Sequence, residues 1–323
     1  MDFRLSDLAT DLGRVLDIEV PGDLITEVDD IMQPVLTEWS INGDASVRGR
    51  LRYGSWTNDP TACERALDHL GAGGIQAMRS AICGRGSEAI GFGLAPRTKQ
   101  RLRWWRLVEG EEGRAMAEDV VAYEPLLDSD YELMARATGH PDWCSAVGCA
   151  SIDGQVSRTT LYFELPTPES VVPILEHIGC PPSLRANQFF RGLLGLDKGR
   201  RRPWPKVWVG RSVGAGGGWK FYYFARKEPT RVSDELLIRL SGETNRTPYN
   251  CYRRVACGDD TRTPVIQIVG LSILDGRVAQ APHWTLYLAD DEVKSAKTET
   301  QLSPGAEAAT LGQPLAIETE HRP

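Results

Sequence analysis

Cations recur along this chain in a two-residue rhythm, and large aromatic side chains share the beat. The runs are Arg48-Gly-Arg50-Leu-Arg52, Arg101-Leu-Arg103-Trp-Trp105, Arg158-Thr-Thr160-Leu-Tyr162, Lys206-Val-Trp208 and Lys220-Phe-Tyr222. Side chains of an extended segment point alternately to opposite faces, so each run carries one apolar face and one cationic or aromatic face. Several Arg and Lys groups converging in a partly dry site suit a diphosphate, because both form charge-assisted hydrogen bonds to phosphate oxygens. Rings beside them stabilise positive charge and exclude water. The pairing describes ionisation of an allylic diphosphate: cations hold the leaving group while rings shelter the carbocation.

One acid, Glu38, falls on the cation-bearing face of the first run of strands. A carboxylate there can accept the proton of an indole N–H or a phenol as the ring attacks. A salt bridge to a neighbouring arginine is the competing reading, and the residues alone leave both open.

These runs belong to five β-hairpins spaced at intervals of roughly 55–60 residues, each followed by helical sequence. Amphipathic helices are expected over 3–17 and 22–33, broken at Pro21-Gly22. Hairpin one is Val35 to Ile41, a turn at Asn42-Gly43-Asp44, and Val47 to Tyr53. Asp59-Pro60-Thr61 then opens a helix towards Cys83, softened by Gly71, Gly73 and Gly74. Hairpin two is Ala89 to Leu94 and Lys99 to Val108, followed by helices near 112–123 and 128–137. Hairpin three is Ser145 to Ile152 and Val156 to Leu165, with Pro168-Glu169 opening a helix to His177 and another expected over 183–195. Hairpin four is Lys206 to Val213 and Trp219 to Ala225, with a helix near Ser233 to Ser241. Hairpin five is Val265 to Ile273 and Ala279 to Ala289.

Two strands sharing a tight turn are antiparallel neighbours, which argues against a parallel (β/α) barrel with one helix per strand. The expectation is an α+β fold with helices outside a ten-stranded antiparallel β-barrel, since closure removes exposed edges. Ten strands leave a lumen wider than side chains can fill. Leu102, Trp104, Leu161, Phe163, Val209 and Phe221 would face the helices. Glu38, Arg52, Arg103, Trp105, Arg158, Thr160, Tyr162, Lys206, Trp208, Lys220, Tyr222 and Tyr287 would face inward. The inverted choice, with cations turned to solvent, puts large aromatics in water with them.

The chain has 323 residues, a formal net charge of −7 and a pI near 5.4, which argues against a general nucleic-acid binder. Seven cysteines without a CxxC pair fit reduced thiols, and scattered histidines without ligand spacing argue against a structural metal. Gly214-Ala-Gly-Gly-Gly218 lacks GK[ST] and lies between antiparallel strands, so it reads as a hairpin turn. No apolar leader or membrane-length run is present in the sequence, and a cytoplasmic location is expected. A single domain over 1–293 and a disordered tail over 294–323, poor in large apolar residues, complete the expectation.

In this order of elements the chain resembles the ABBA-fold (PT-barrel) aromatic prenyltransferases. Leu36-Thr-Glu38-Trp-Ser40 is similar to the first-strand segment that holds the indole-directed glutamate in tryptophan-type and cyanobactin-type members, and Leu51-Arg52-Tyr53 to the strand whose arginine contacts diphosphate. Arg103-Trp-Trp105 resembles a Lys-x-Tyr strand, Arg158-Thr-Thr160-Leu-Tyr162 an Arg-x-Lys-x-Tyr strand, and Lys206-Val-Trp208 a Lys/Gln-x-Tyr strand. Lys220 falls where phenol-directed members carry an arginine, and Tyr287 on the last shielding aromatic.

The resemblance implies five α-β-β-α repeats and transfer of a dimethylallyl or longer prenyl group from its diphosphate to an aromatic acceptor. That acceptor would be an indole or tryptophan, free or within a peptide. It implies Glu38 as the catalytic acid–base group. Arg52, Arg103, Arg158, Lys206 and Lys220 would bind diphosphate, and Trp105, Tyr162, Trp208, Tyr222 and Tyr287 would shield the carbocation. No cofactor is obligatory, Mg2+ serves some members, and neither nucleic acid nor membrane is a partner. Thr160 departs from the lysine of indole enzymes and leaves a phenol- or naphthol-directed enzyme as an alternative. A non-catalytic barrel for a hydrophobic anionic metabolite is a further one, and an interaction scaffold with outward basic strands is another.

Overall fold

Local sequence chemistry sets where the elements start and stop. The Asp59 side chain accepts a hydrogen bond from the Thr61 amide at 2.9 Å, and Pro60 occupies the first helical position. That cap opens α2 (Pro60–His69), and Gly71, with φ of +62°, ends the run that was expected to continue to Cys83. A separate helix, α3 (Gly73–Ala81), follows it. The other described helices are α1 (Gly22–Met32), α4 (Gly110–Tyr123), α5 (Asp128–Thr138) and α6 (Pro168–His177).

The structure, a computed structural model, describes residues 20–42, 51–82, 86–93, 101–179, 207–224, 268–274, 277–278 and 283–288. The helices expected over 3–17, 183–195 and near Ser233 to Ser241, together with Lys206 and the tail expected over 294–323, lie outside the described residues. The chain divides into one unit over 1–288 and a second over 289–323.

Eight strands follow one another as antiparallel neighbours: β1 (Leu36–Asn42), β2 (Leu51–Thr57), β3 (Glu88–Gly93), β4 (Arg101–Leu107), β5 (Cys144–Ile152), β6 (Gln155–Leu165), β7 (Val207–Gly214) and β8 (Gly218–Phe224). Three more are β9 (Ile268–Leu274), β10 (Arg277–Val278) and β11 (His283–Leu288). β9 pairs with β8, β10 and β11, and β11 pairs with β1. Of the return strand expected from Ala279 to Ala289, β11 describes His283–Leu288, and residues 279–282 and 289 lie outside the described residues. β2 also runs four residues beyond its expected end at Tyr53, to Thr57.

Helices cover one face of this sheet. Tyr53, Phe92, Leu102, Trp104, Leu161, Phe163, Val209 and Phe221 are buried there against Val28, Met32, Leu67, Met78, Met116, Val120, Met134 and Ile174. Removing each such side chain from water contributes about 1.5–3 kcal/mol. Polar contacts pin the layers together. The Tyr53 hydroxyl donates to the Asp29 carboxylate of α1 at 2.5 Å, and the Tyr131 ring of α5 meets Phe163 edge-on at 6.0 Å.

Glu88, fully buried, joins Arg79 of α3 at 2.7 Å and Arg106 of β4 at 3.4 Å, and accepts from the Trp104 indole at 3.0 Å. Burial alone raises a carboxyl pKa, but the bonds from Arg79 and Trp104 outweigh it and hold Glu88 below its ordinary value. A one-residue slip of β4 would put Arg103 beneath the helices and Trp104 on the other face, which is why register is strongly specified.

Candidate active site

The face away from the helices alternates large and small from strand to strand. Even-numbered strands carry Arg52 and Trp56, Arg103 and Trp105, Arg158 and Tyr162, and Lys220 and Tyr222. Odd-numbered strands place small residues beside most of them, with Trp208 of β7 beside Tyr222 and Glu38 of β1 among the exceptions. Arg103 lies between Gly91 and Ala150, Tyr162 between Ala146 and Gly210, and Lys220 between Gly210 and Ser272 in register. The rings lie down on the glycines. A Cβ on Gly91 would come within 2.6 Å of the Trp105 ring, and one on Gly148 within 2.9 Å of it. A Cβ on Gly210 would meet the Tyr222 ring at 3.0 Å and the Tyr162 ring at 3.1 Å.

Charges from distant strands act on one another across this face. Burial holds Lys220 far below the ordinary lysine range, and the charges of Arg52, Arg103 and Arg158 push it the same way while Glu38 opposes them. Burial also lowers Arg103, with Arg52 and Arg158 adding to the effect. A flat sheet would hold β2 and β8, six steps apart, roughly 29 Å from each other at ~4.8 Å per step. Charges in salt water are screened over about 10 Å. The pairings of β9 with β8 and β11, and of β11 with β1, bend this run of strands back on itself, with the helices on the outer side. Arg103 and Lys220 are half-buried on this concave side.

Aromatic rings line the same side. Tyr162 packs at 5.6 Å from Tyr222 and 6.5 Å from Trp208, and the Lys220 ammonium lies 5.0 Å from the Tyr222 ring centroid. Burial, then the neighbouring Tyr162, pushes the Tyr222 phenol well above its ordinary pKa, so it stays a neutral phenol. The Trp208 indole donates to Glu164 at 3.1 Å. Trp105 stacks on Trp56 with centroids 6.4 Å apart and planes 16° from parallel.

Glu38 on β1 sits opposite Gly54 and, on its other side, opposite Tyr287. Its Oε2 accepts a hydrogen bond from the Trp56 indole N–H at 3.3 Å. Thr160 and Ser212, adjacent across β6 and β7, share a hydroxyl hydrogen bond of 2.7 Å where the resemblance would place a lysine.

Of the residues singled out from sequence, Glu38, Arg52, Arg103, Arg158, Lys220, Trp105, Tyr162, Trp208 and Tyr222 are described with their side chains. Electrostatics ties Glu38, Arg52, Arg103, Arg158 and Lys220 into one group. Tyr287 is described by its backbone position alone. Among the described residues, no three His, Cys, Asp or Glu side chains are placed to hold a metal ion, and no helix is long and apolar enough to cross a membrane.

Sequence reasoning missed Trp56, because β2 was expected to stop before it. It also missed the glycine floor, although a signal was present. Ile90-Gly-Phe-Gly93, Val147-Gly-Cys-Ala150, Val209-Gly-Arg-Ser212 and Val269-Gly-Leu-Ser272 repeat one pattern on the first strand of four hairpins. In β1 the matching stretch is Thr37-Glu-Trp-Ser40, with Glu38 in the glycine position. Glu38 thus replaces a floor residue and projects where the other strands leave space.

By sequence the chain matches no protein-family model and no curated protein. Solved structures do match. The 6-dimethylallyltryptophan synthase of Micromonospora olivasterospora, in complex with DMASPP and Trp, superposes with a TM-score of 0.67 over 88% of this chain and 96% of that one, at 14% identity. The prenyltransferase PriB, in a ternary complex with L-tryptophan and dimethylallyl thiolodiphosphate, gives 0.58 over 88% and 94% at 13% identity. The 5-dimethylallyl tryptophan synthase of Streptomyces coelicolor gives 0.52 over 90% and 95% at 14% identity. At such identities the likeness concerns the path of the backbone. Along nearly nine-tenths of its length, the chain has the fold of the aromatic prenyltransferases.

Proposed function

We propose that this protein transfers a dimethylallyl or longer prenyl group from its diphosphate to an indole acceptor, free tryptophan or tryptophan in a peptide. The observation that carries the reading is the meeting of Arg52, Arg103, Arg158 and Lys220 on one aromatic-lined face with Glu38 as their acid. Unliganded, these cations repel one another, and a diphosphate relieves that repulsion. Structural neighbours solved with tryptophan and a dimethylallyl diphosphate analogue support the choice of substrates.

In this reading the allylic C–O bond breaks and the diphosphate leaves onto Arg52, Arg103, Arg158, Lys206 and Lys220. Trp105, Tyr162, Trp208, Tyr222 and Tyr287 face the carbocation and keep water from quenching it. An indole carbon attacks the cation, forming the new C–C bond. Glu38 accepts the indole N–H hydrogen bond and takes that proton as the carbon attacks. The attacked carbon then loses its own proton to the departed diphosphate, and the nitrogen regains one from Glu38, which restores aromaticity. Pairings of β9 with β8 and β11, and of β11 with β1, support closure of ten strands into the barrel of five α-β-β-α repeats that this mechanism needs for dryness.

The reading includes one barrel domain over 1–293, a tail over 294–323 and a cytoplasmic setting. No cofactor is obligatory in this reading, since the cations in place already serve the diphosphate, and Mg2+ can add to them. Turnover with and without a chelator decides that point. The Thr160–Ser212 pair favours a second reading, a phenol-directed enzyme, since an uncharged residue stands where indole enzymes carry lysine.

The test is a panel of allylic diphosphates against tryptophan, a tryptophan-containing peptide and a naphthol. A product heavier by one prenyl unit with an indole supports the first reading, and with the naphthol alone the second. Calorimetric binding of an aromatic ligand, independent of diphosphate and without turnover, would point to a non-catalytic binding protein.

A further inference from the structure

Trp56 occupies a position that the reaction outlined above gives no role. It lies in one row of the sheet with Ala89 and Trp105, Ala89 being paired with both. The small alanine lets the two indoles lean together and stack over it. The Trp56 ring is 8% exposed, and its N–H points back to Oε2 of Glu38, one strand away. A buried indole N–H needs an acceptor, and a carboxylate is the strongest one a protein offers.

Glu38 sits between two opposing attractions. Lys220 acts on it from the side of the cations. Trp56 acts from the side of the rings, and along β2 it lies beyond Gly54, with Arg52 on the other side of that glycine. A carboxylate drawn fully to the cations would be neutralised by them and would no longer meet an acceptor. A carboxylate held by an indole N–H stays with the aromatic wall and keeps its basicity within reach of a second N–H.

We infer that Trp56 is the positioning residue of Glu38: its indole N–H fixes one carboxylate oxygen, and its ring, stacked on Trp105, forms the wall that orients a flat indole acceptor towards that carboxylate. The inference rests on Glu38 serving as proton acceptor in the proposed reaction. Its consequence is selectivity. Acceptors that present an N–H to this carboxylate gain from the arrangement, and those lacking one do not.

The test has two arms. In the first, protein labelled with 15N at tryptophan is titrated by NMR, and the Trp56 Nε1–H resonance is assigned by its loss in Trp56→Phe. The resonance should move with a carboxylate titration, and that movement should vanish in Glu38→Gln. In the second, Trp56→Phe, which keeps a ring but lacks the N–H, should lower kcat for an indole acceptor about tenfold while leaving affinity for dimethylallyl thiolodiphosphate unchanged. The acid limb of its kcat profile should move to higher pH, because a carboxylate that loses a donor is easier to protonate. Trp56→His, retaining a ring N–H, should recover part of the rate.

A resonance indifferent both to pH and to Glu38→Gln would overturn the inference. So would a Trp56→Phe variant with the wild-type kcat and pH profile, or one whose losses in kcat and donor affinity run in parallel. If the wild-type protein turned over no acceptor, the proposed function would fall, and the NMR arm would still decide whether Trp56 holds Glu38.

Discussion

The Lys220 ammonium lies 5.0 Å from the centre of the Tyr222 ring, and it does so with three arginines acting on it. A ring face offers a cation partial compensation for lost water, but not the full charge a diphosphate brings. Burial and those arginines lower the Lys220 pKa, so the free protein sheds this proton at lower pH than lysine usually does. A bound diphosphate favours the charged form and raises the pKa again. Between the two values, donor binding must take up a proton, and affinity must fall as pH rises through the lowered pKa. Calorimetry of a thiolodiphosphate analogue in buffers of different ionisation heat reads that uptake directly. Lys220→Ala should abolish the uptake and weaken binding about 10- to 100-fold, as loss of a hydrogen bond between charged groups costs about 1.5–3 kcal/mol.

Gly91 and Gly210 should not tolerate alanine equally. At Gly91 a Cβ would meet both the Trp105 ring at 2.6 Å and the Tyr53 carbonyl oxygen at 2.9 Å, and the backbone oxygen has nowhere to go. At Gly210 the nearest atoms are the Tyr222 and Tyr162 rings at 3.0–3.1 Å, which can tilt by a few tenths of an ångström. Gly91→Ala is therefore expected to destabilise by about 1–3 kcal/mol and Gly210→Ala by less. Thermal unfolding of the two variants checks the order.

Much of this was legible beforehand. The alternation in Arg103-Trp-Trp105 and Arg158-Thr-Thr160-Leu-Tyr162 carries its face assignment within itself, since charge under the helices would be costly. Trp56 escaped because the end of a strand depends on what pairs with it: β3 matches β2 as far as Thr57 opposite Glu88. Turn chemistry says where a hairpin begins and little about where its far end stops. The glycine repeat is visible in the letters of the chain, yet its purpose depends on which residues lie opposite each glycine in register. Thr160 carried no hint of Ser212, because their bond links residues of two hairpins.

Acid stability should report on Glu88. Its folded pKa lies below its ordinary value, so its contribution is present above the unfolded pKa and is lost as pH falls through the folded one. Glu88→Gln leaves Arg79 and Arg106 buried without their carboxylate, at a cost of about 3–5 kcal/mol near neutral pH. The gap between variant and wild type should then narrow as the pH drops below the carboxylate range. Urea unfolding at pH 7 and at pH 3 measures it, and a gap independent of pH would remove the ion cluster from the account.

Arg103 and Arg158 bear on whether the basic strands face a ligand or a partner protein. On the concave side, Arg103→Ala and Arg158→Ala should each raise the KM for the donor at least tenfold while leaving the melting temperature near wild type. A basic scaffold surface would show no change in donor use.

Incubation of the protein with dimethylallyl diphosphate and L-tryptophan, followed by mass spectrometry and diphosphate assay, tests the central claim most directly. The account predicts tryptophan heavier by one dimethylallyl group, formed in step with released diphosphate, and reduced by Glu38→Gln without loss of donor binding. The contradicting result is no prenylated product from any allylic diphosphate or aromatic acceptor, with a folded protein that also fails to bind a thiolodiphosphate analogue.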